Sequence, residues 1–216
     1  MKKLFVPVLA VFMMLGICSA HQPRIEFDQS HPETNPVVVS NPEISQAFYG
    51  DLQGQPDYYQ ITSDTGFLLY ANIVVPDLSG SRTDFIVELF NGSSLLTRLD
   101  GTQVQWSGFY EPFAGDQYLR GPAREQQVSS GTYTIIVSNP GNQGKYSLAI
   151  GKIESFNLKE TIHTFKVLPQ LKTQFFNKPA WTIVDNKIGL FLGIGLLVLV
   201  GVIFIIVRGI KMLTKG

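Results

Sequence analysis

Phe67-Leu68-Leu69-Tyr70-Ala71-Asn72-Ile73-Val74-Val75 sets Phe67, Leu69, Ala71, Ile73 and Val75 on one face of an extended chain, the period of two that a half-buried strand requires. Pro76-Asp77 stops it. Outward from this stretch the same grammar repeats. Residues 43–49 end at Gly50-Asp51, 58–62 at Ser63-Asp64-Thr65-Gly66, and 85–90 at Asn91-Gly92, ahead of 95–99 and Asp100-Gly101. Farther on, 132–137 places Tyr133, Ile135 and Val137 on one side before Asn139-Pro140-Gly141-Asn142, and 146–150 closes the series. Short period-two runs divided by turn residues, with no helical stretch among them, predict a mainly β, antiparallel sandwich. Residues 21–41, rich in Pro, Asn and Glu, read as an extended lead-in with a strand signal only at Val37-Val38-Val39.

Three short motifs within this series resemble a known family. Asp57-Tyr58-Tyr59 with Gly66 and the long strand after it, Ser130-Gly131-Thr132-Tyr133-Thr134-Ile135-Ile136-Val137, and Gly144-Lys145-Tyr146-Ser147-Leu148 are similar to the bacterial pre-peptidase C-terminal domain, over residues 42–150. The resemblance implies a jelly-roll-like sandwich that is non-catalytic and in some members binds calcium or a substrate polymer. Read from the residues themselves, Asp57 accepts backbone hydrogen bonds at a strand start, and Tyr133 and Tyr146 pack as paired aromatics. No peptidase precedes the module, so the fold transfers better than the function.

The chain ends call for a membrane. Residues 188–207 hold no charged or strongly polar side chain, and about 20 such residues at 1.5 Å rise match a hydrocarbon core of roughly 30 Å. At the other end, Lys2-Lys3, an apolar run over 4–17 and Cys18-Ser19-Ala20 read as a secretory signal cut after Ala20. Arg208, Lys211 and Lys215 follow the apolar run with no acid, which puts the tail in the cytoplasm by the positive-inside rule. The predicted divisions are a signal peptide at 1–20, a lead-in at 21–41, a sandwich ectodomain at 42–151, a juxtamembrane stalk at 152–187, a span at 188–207 and a tail at 208–216. The expected product is a single-pass type I protein of the cell membrane, its N-terminal domain outside the cytoplasm, with lipid as its first partner. Gly189 and Gly193 form G-x-x-x-G in the span and suggest a homodimer.

Charge and cysteine narrow the function classes. Cys18 is the one cysteine, so the mature chain has no disulfide, thiolate nucleophile or Cys-ligated zinc site. Residues 21–151 carry fourteen acids against six bases, a net of −8, which repels phosphate backbones and argues against a nucleic-acid partner. The stalk reverses sign, with six lysines against three acids. Leu158, Ile162, Phe165, Leu168, Leu171 and Phe175 step by three and four behind a cap near Asn157, and Pro169 should break the helix or start another. That stripe lies either in the headgroup region or against the sandwich.

Candidate sites are few. Between residues 100 and 128 the alternation fails, and Trp106, Phe109, Tyr110, Phe113 and Tyr118 crowd among Gly and Pro. These aromatics either plug one end of the sandwich or form a recognition surface for a polysaccharide or protein partner. Asp57, Asp64, Asp77, Asp84 and Asp116 could offer oxygens to calcium, or be solvated acids, since no D-x-D-x-D-G loop is present. Cleavage after Ala20 would make His21 an amine-plus-imidazole copper ligand, with a second imidazole from His31 or His163. With histidines only in the lead-in and stalk, no Ser-His-Asp arrangement suggests itself and no enzyme is predicted. The function expected is a membrane-anchored, non-catalytic binding or interaction module. The alternatives are a tethered copper protein or enzyme and a structural subunit of a membrane complex.

Overall fold

Alternation over residues 67–75 is realised as burial: Phe67, Leu69, Ile73 and Val75 are all buried between two sheets, in one cluster with Tyr59, Phe85, Ile135 and Leu148. The computed structural model describes residues 21–111, 114–155 and 157–213; the signal peptide expected over 1–20 lies outside them. In chain order the strands are β1 (Gln22–Ile25), β2 (Val37–Val38), β3 (Gln46–Gln53), β4 (Asp57–Ser63), β5 (Phe67–Pro76), β6 (Ile86–Asn91), β7 (Ser94–Asp100), β8 (Ser107–Glu111), β9 (Asp116–Val128), β10 (Gly131–Ser138) and β11 (Gln143–Ile150). The first sheet runs β1-β3-β11-β5-β9-β8 and the second β2-β4-β10-β6-β7.

Two parts of the sequence reading change. The lead-in is extended, but it belongs to the sandwich: β1 pairs with β3 and β2 with β4, both in parallel. The irregular stretch is also largely strand. β8 and β9 form the edge of the first sheet, hidden from periodicity by Gly121-Pro122 inside β9. Proline cannot donate to a ladder, and the β5–β9 register shifts between Asn72 and Val74, opposite it. Buried Asn72 repairs the break by donating Nδ2 to the carbonyls of Gly121 and Pro122 at 3.3 and 3.0 Å.

The stalk folds back onto the sandwich. Helix α1 (Leu158–Gln170) starts where Asn157 accepts a hydrogen bond from Glu160 N at 2.9 Å. It runs through Pro169 and widens into a π turn, Leu171–Phe175. Its buried edge, Leu168 with Leu171, Phe175 and Phe176, packs on Tyr49 and Tyr118 of the outer face of the first sheet and on Phe27 in the turn after β1. A salt bridge from Arg24 to Glu160 at 2.9 Å ties β1 to the helix. Of the two sites open to the stripe, the sandwich takes this half, while Leu158, Ile162 and Phe165 stay exposed.

Helix α2, Lys187–Leu213, ends the described chain. Among the described residues no helix is long and apolar enough to cross a membrane. The span expected over 188–207 therefore rests on the sequence. Gly189 and Gly193 sit in different settings. A side chain at Gly189 would collide with the Val184 backbone, whereas Gly193 faces open space.

Candidate functional site

The outer face of the first sheet carries small residues where the start of β3 meets the end of β11, Ala47 paired with Ala149, and a cavity lies between them and α1. About 120 Å³ is open to water-sized molecules there. Tyr70, Val74, Phe109, Leu168 and Phe176 supply apolar wall, and Asn72, Thr164, Arg120 and His21 supply polar atoms.

Thr164 is the unusual member. It is buried, 6% exposed, and among the described residues its hydroxyl has no hydrogen-bond partner. Thr161 and Thr173, on the same helical segment, turn their hydroxyls back to carbonyls four residues earlier, at 3.0 Å each. An unpaired buried hydroxyl costs about 1–3 kcal/mol, which a group in the cavity would relieve.

Arg120 stands on the same wall with its guanidinium 4.2 Å from the centre of the Phe109 ring. Arg120 is exposed, and its one contact among the described residues is with that ring. The acids nearby are already engaged. Glu111 Oε2 accepts from Ala114 N at 2.7 Å. Asp116 holds Lys172 at 2.6 Å and Lys178 at 2.9 Å, and the Lys172 side chain is 1% exposed. Two opposite charges leave water together here, and the Ala114 carbonyl accepts a further Lys172 hydrogen bond. The penalty of burial is thus spread over a complete network. Beside it, Tyr49 and Tyr118 share a hydroxyl hydrogen bond at 3.0 Å. Burial first of all pushes both phenols well above their ordinary range.

The aromatics singled out in the sequence separate. Trp106 donates Nε1–H to Gly101 O at 2.9 Å and lies over Gly121, where a Cβ would come within 2.5 Å of its ring. Phe109 and Tyr118 face the stalk with ring centres 6.2 Å apart, and Tyr118 meets Phe176 edge-on at 5.1 Å. Tyr110 is exposed. Phe113 lies outside the described residues.

The candidate metal ligands separate too. His21 Nδ1 contacts Ser45 Oγ before β1 begins, whereas His31, beyond its other end, pairs with Glu26 at 3.1 Å. His163 Nε2 lies 3.2 Å from the Pro23 carbonyl. Among the described residues no group of three or more His, Cys, Asp or Glu is placed to hold a metal. Of the calcium candidates, Asp57 is buried against Tyr146 and His31 N, Asp84 pairs with Arg82, and Asp116 holds its two lysines.

The cavity escaped the sequence reading because it needs α1 and the sheet together; the one signal was Thr164 on the inward side of the apolar stripe. No family model matches the chain, and no curated protein does. Among solved structures it is similar to the pre-peptidase C-terminal domain of a collagenase from Bacillus anthracis, at TM-score 0.36 and 14% identity, over 56% of this chain and 97% of that one. It is also similar to a β-glucosidase from Paenibacillus barengoltzii, at TM-score 0.25 and 12% identity, over 61% of this chain and 13% of that one. The chain thus spans a small fraction of the glucosidase, and at these scores neither likeness bears on function.

Proposed function

We propose that this chain is a membrane-anchored extracytoplasmic binding module that performs no chemistry of its own, a jelly-roll-like sandwich of the pre-peptidase C-terminal type carried on an apolar helix. The observation that carries the reading is the docked stalk. Residues 158–176 close over the outer face of one sheet and leave a partly lined cavity there, so the segment that leads to the apolar helix is also part of a binding surface. Each histidine ring is engaged in a contact of the fold, which favours binding over general base work. Anchoring itself rests on the uncharged run at 188–207.

The test is fractionation of the native host. Signal-processed full-length protein should stay with vesicles in alkaline carbonate and be shaved by a protease added outside. Release into the wash, or protection of the sandwich from outside, overturns the reading. A second reading, a structural subunit of a membrane complex, is favoured by the exposed outer edge of α1, where Leu158 is 76% exposed beside Ile162 and Phe165. Crosslinking of intact membranes that joins these positions to one integral membrane protein would select it.

A further inference from the structure

We infer that the cavity between α1 and the first sheet is a binding site for a small aliphatic monocarboxylate, held with its chain against the apolar wall and its carboxylate between Arg120 and Thr164. The inference names the ligand class of the binding module proposed above and rests on that reading.

Three observations converge. The space, about 120 Å³, suits about five non-hydrogen atoms, scaled from the roughly 150 Å³ that admits benzene in an apolar cavity. The wall offers aliphatic and aromatic carbon from Val74, Leu168, Phe109 and Phe176. Among the polar groups of that wall, a cation and a buried hydroxyl, Arg120 and Thr164, make no side-chain hydrogen bond among the described residues. A guanidinium over a phenyl ring still has its N–H donors to offer a planar acceptor, and carboxylate is the acceptor whose geometry it matches. The Thr164 hydroxyl then donates to a carboxylate oxygen. A cationic ligand is disfavoured, because Asp116 is taken by two lysines and Glu111 by its own contacts. Cleavage after Ala20 would add the His21 α-ammonium on a residue of the same wall.

Propionate is the probe, with propionamide as its neutral isostere. Carboxyl-labelled propionate titrated by NMR against the full chain in detergent should show saturable one-to-one binding in the millimolar range, as expected for so few atoms. The amide should bind about tenfold more weakly for want of the charge-assisted contact. Arg120→Gln should lose about tenfold, and Thr164→Val, which keeps shape and helix, several-fold. Melting temperatures of both variants report that the fold is retained. Equal binding of acid and amide, no saturation up to about fifty millimolar, or unchanged affinity in both folded variants overturns the inference. A chain that passes the fractionation test and fails this titration remains an anchored module with a different ligand.

Discussion

Tyr146 makes three contacts that the sequence showed only in part. Its hydroxyl donates to Asp57 Oδ2 at 2.7 Å, so the Tyr59 hydroxyl 2.8 Å away must donate to it, and its ring tilts against Phe85 at 5.6 Å. The reading of Asp57 as an acceptor at a strand start holds, since its Oδ1 takes the His31 amide at 3.0 Å. The pairing of Tyr133 with Tyr146 does not: Tyr133 meets Phe67 edge-on at 5.7 Å. Periodicity tells which face a ring occupies and not which ring lies across the sheet gap. Gly50 was misread for a related reason. It stands within β3 because Tyr146 fills the space a side chain would need, and it looks like a turn only in isolation. Tyr146→Phe keeps the ring and strands two buried partners, so it should cost about 1–3 kcal/mol in a denaturation titration. Asp57 adds a pH signature. Burial, the largest cause, raises its folded pKa above the ordinary value, against the pull of the Tyr146 and His31 donors. The folded state therefore holds this proton more tightly than the unfolded one. The contribution is present below the unfolded pKa and lost as pH rises through the folded pKa. The stability advantage of wild type over Asp57→Asn should shrink from about pH 3 to pH 7; an advantage that grows would mean that the donors outweigh burial.

At the scale of elements, a strand or helix was legible where its residues alone decide it. β5, β10 and β11 have their apolar faces where the period of two puts them, and α1 begins at the expected Asn157 cap. β9 was not legible, because Gly121-Pro122 looks like a break until the buried amide of Asn72 is seen to repair it. The choice between membrane and sandwich for α1 was likewise closed to sequence, since its stripe is wide enough to serve both. Lys172 decides it: a lysine in the apolar stripe can be buried only where a carboxylate waits, and Asp116 waits on β9. Asp116→Asn should therefore cost about 3 kcal/mol or more by leaving that ammonium uncompensated. Amides of residues 158–176 should then exchange with solvent well before those of β10 and β11. Lys178→Ala, at a partner 34% exposed, should cost no more than about 1 kcal/mol. Equal losses in the two variants would mean that the buried pair does not hold the stalk.

Across the whole molecule, the reversal of charge between sandwich and stalk was plain in the sequence, and its meaning was not. It fits a basic segment in the headgroup region as well as one against the sandwich, and part of it is internal complementarity: Lys172 and Lys178 meet Asp116, and Lys152 meets Glu125 at 2.8 Å. Which acid receives which lysine depends on a docking that no single segment encodes. The folding unit is consequently larger than the 42–151 module drawn from turns, since it takes β1 and β2 before that boundary and α1 with the π turn after it. A chain of residues 21–155 keeps every strand but bares Phe27, Tyr49 and Tyr118 and deprives Asp116 of both lysines. A chain of residues 21–186 keeps that face covered. Burying Leu168, Leu171, Phe175 and Phe176 is worth about 1.5–3 kcal/mol each before ordering costs. At about 2–4 °C per kcal/mol the shorter chain should melt about 10 °C or more below the longer one, and should bind a hydrophobic dye that the longer one ignores. Coincident melting curves would make the stalk a passenger and remove the wall on which the proposed carboxylate site depends.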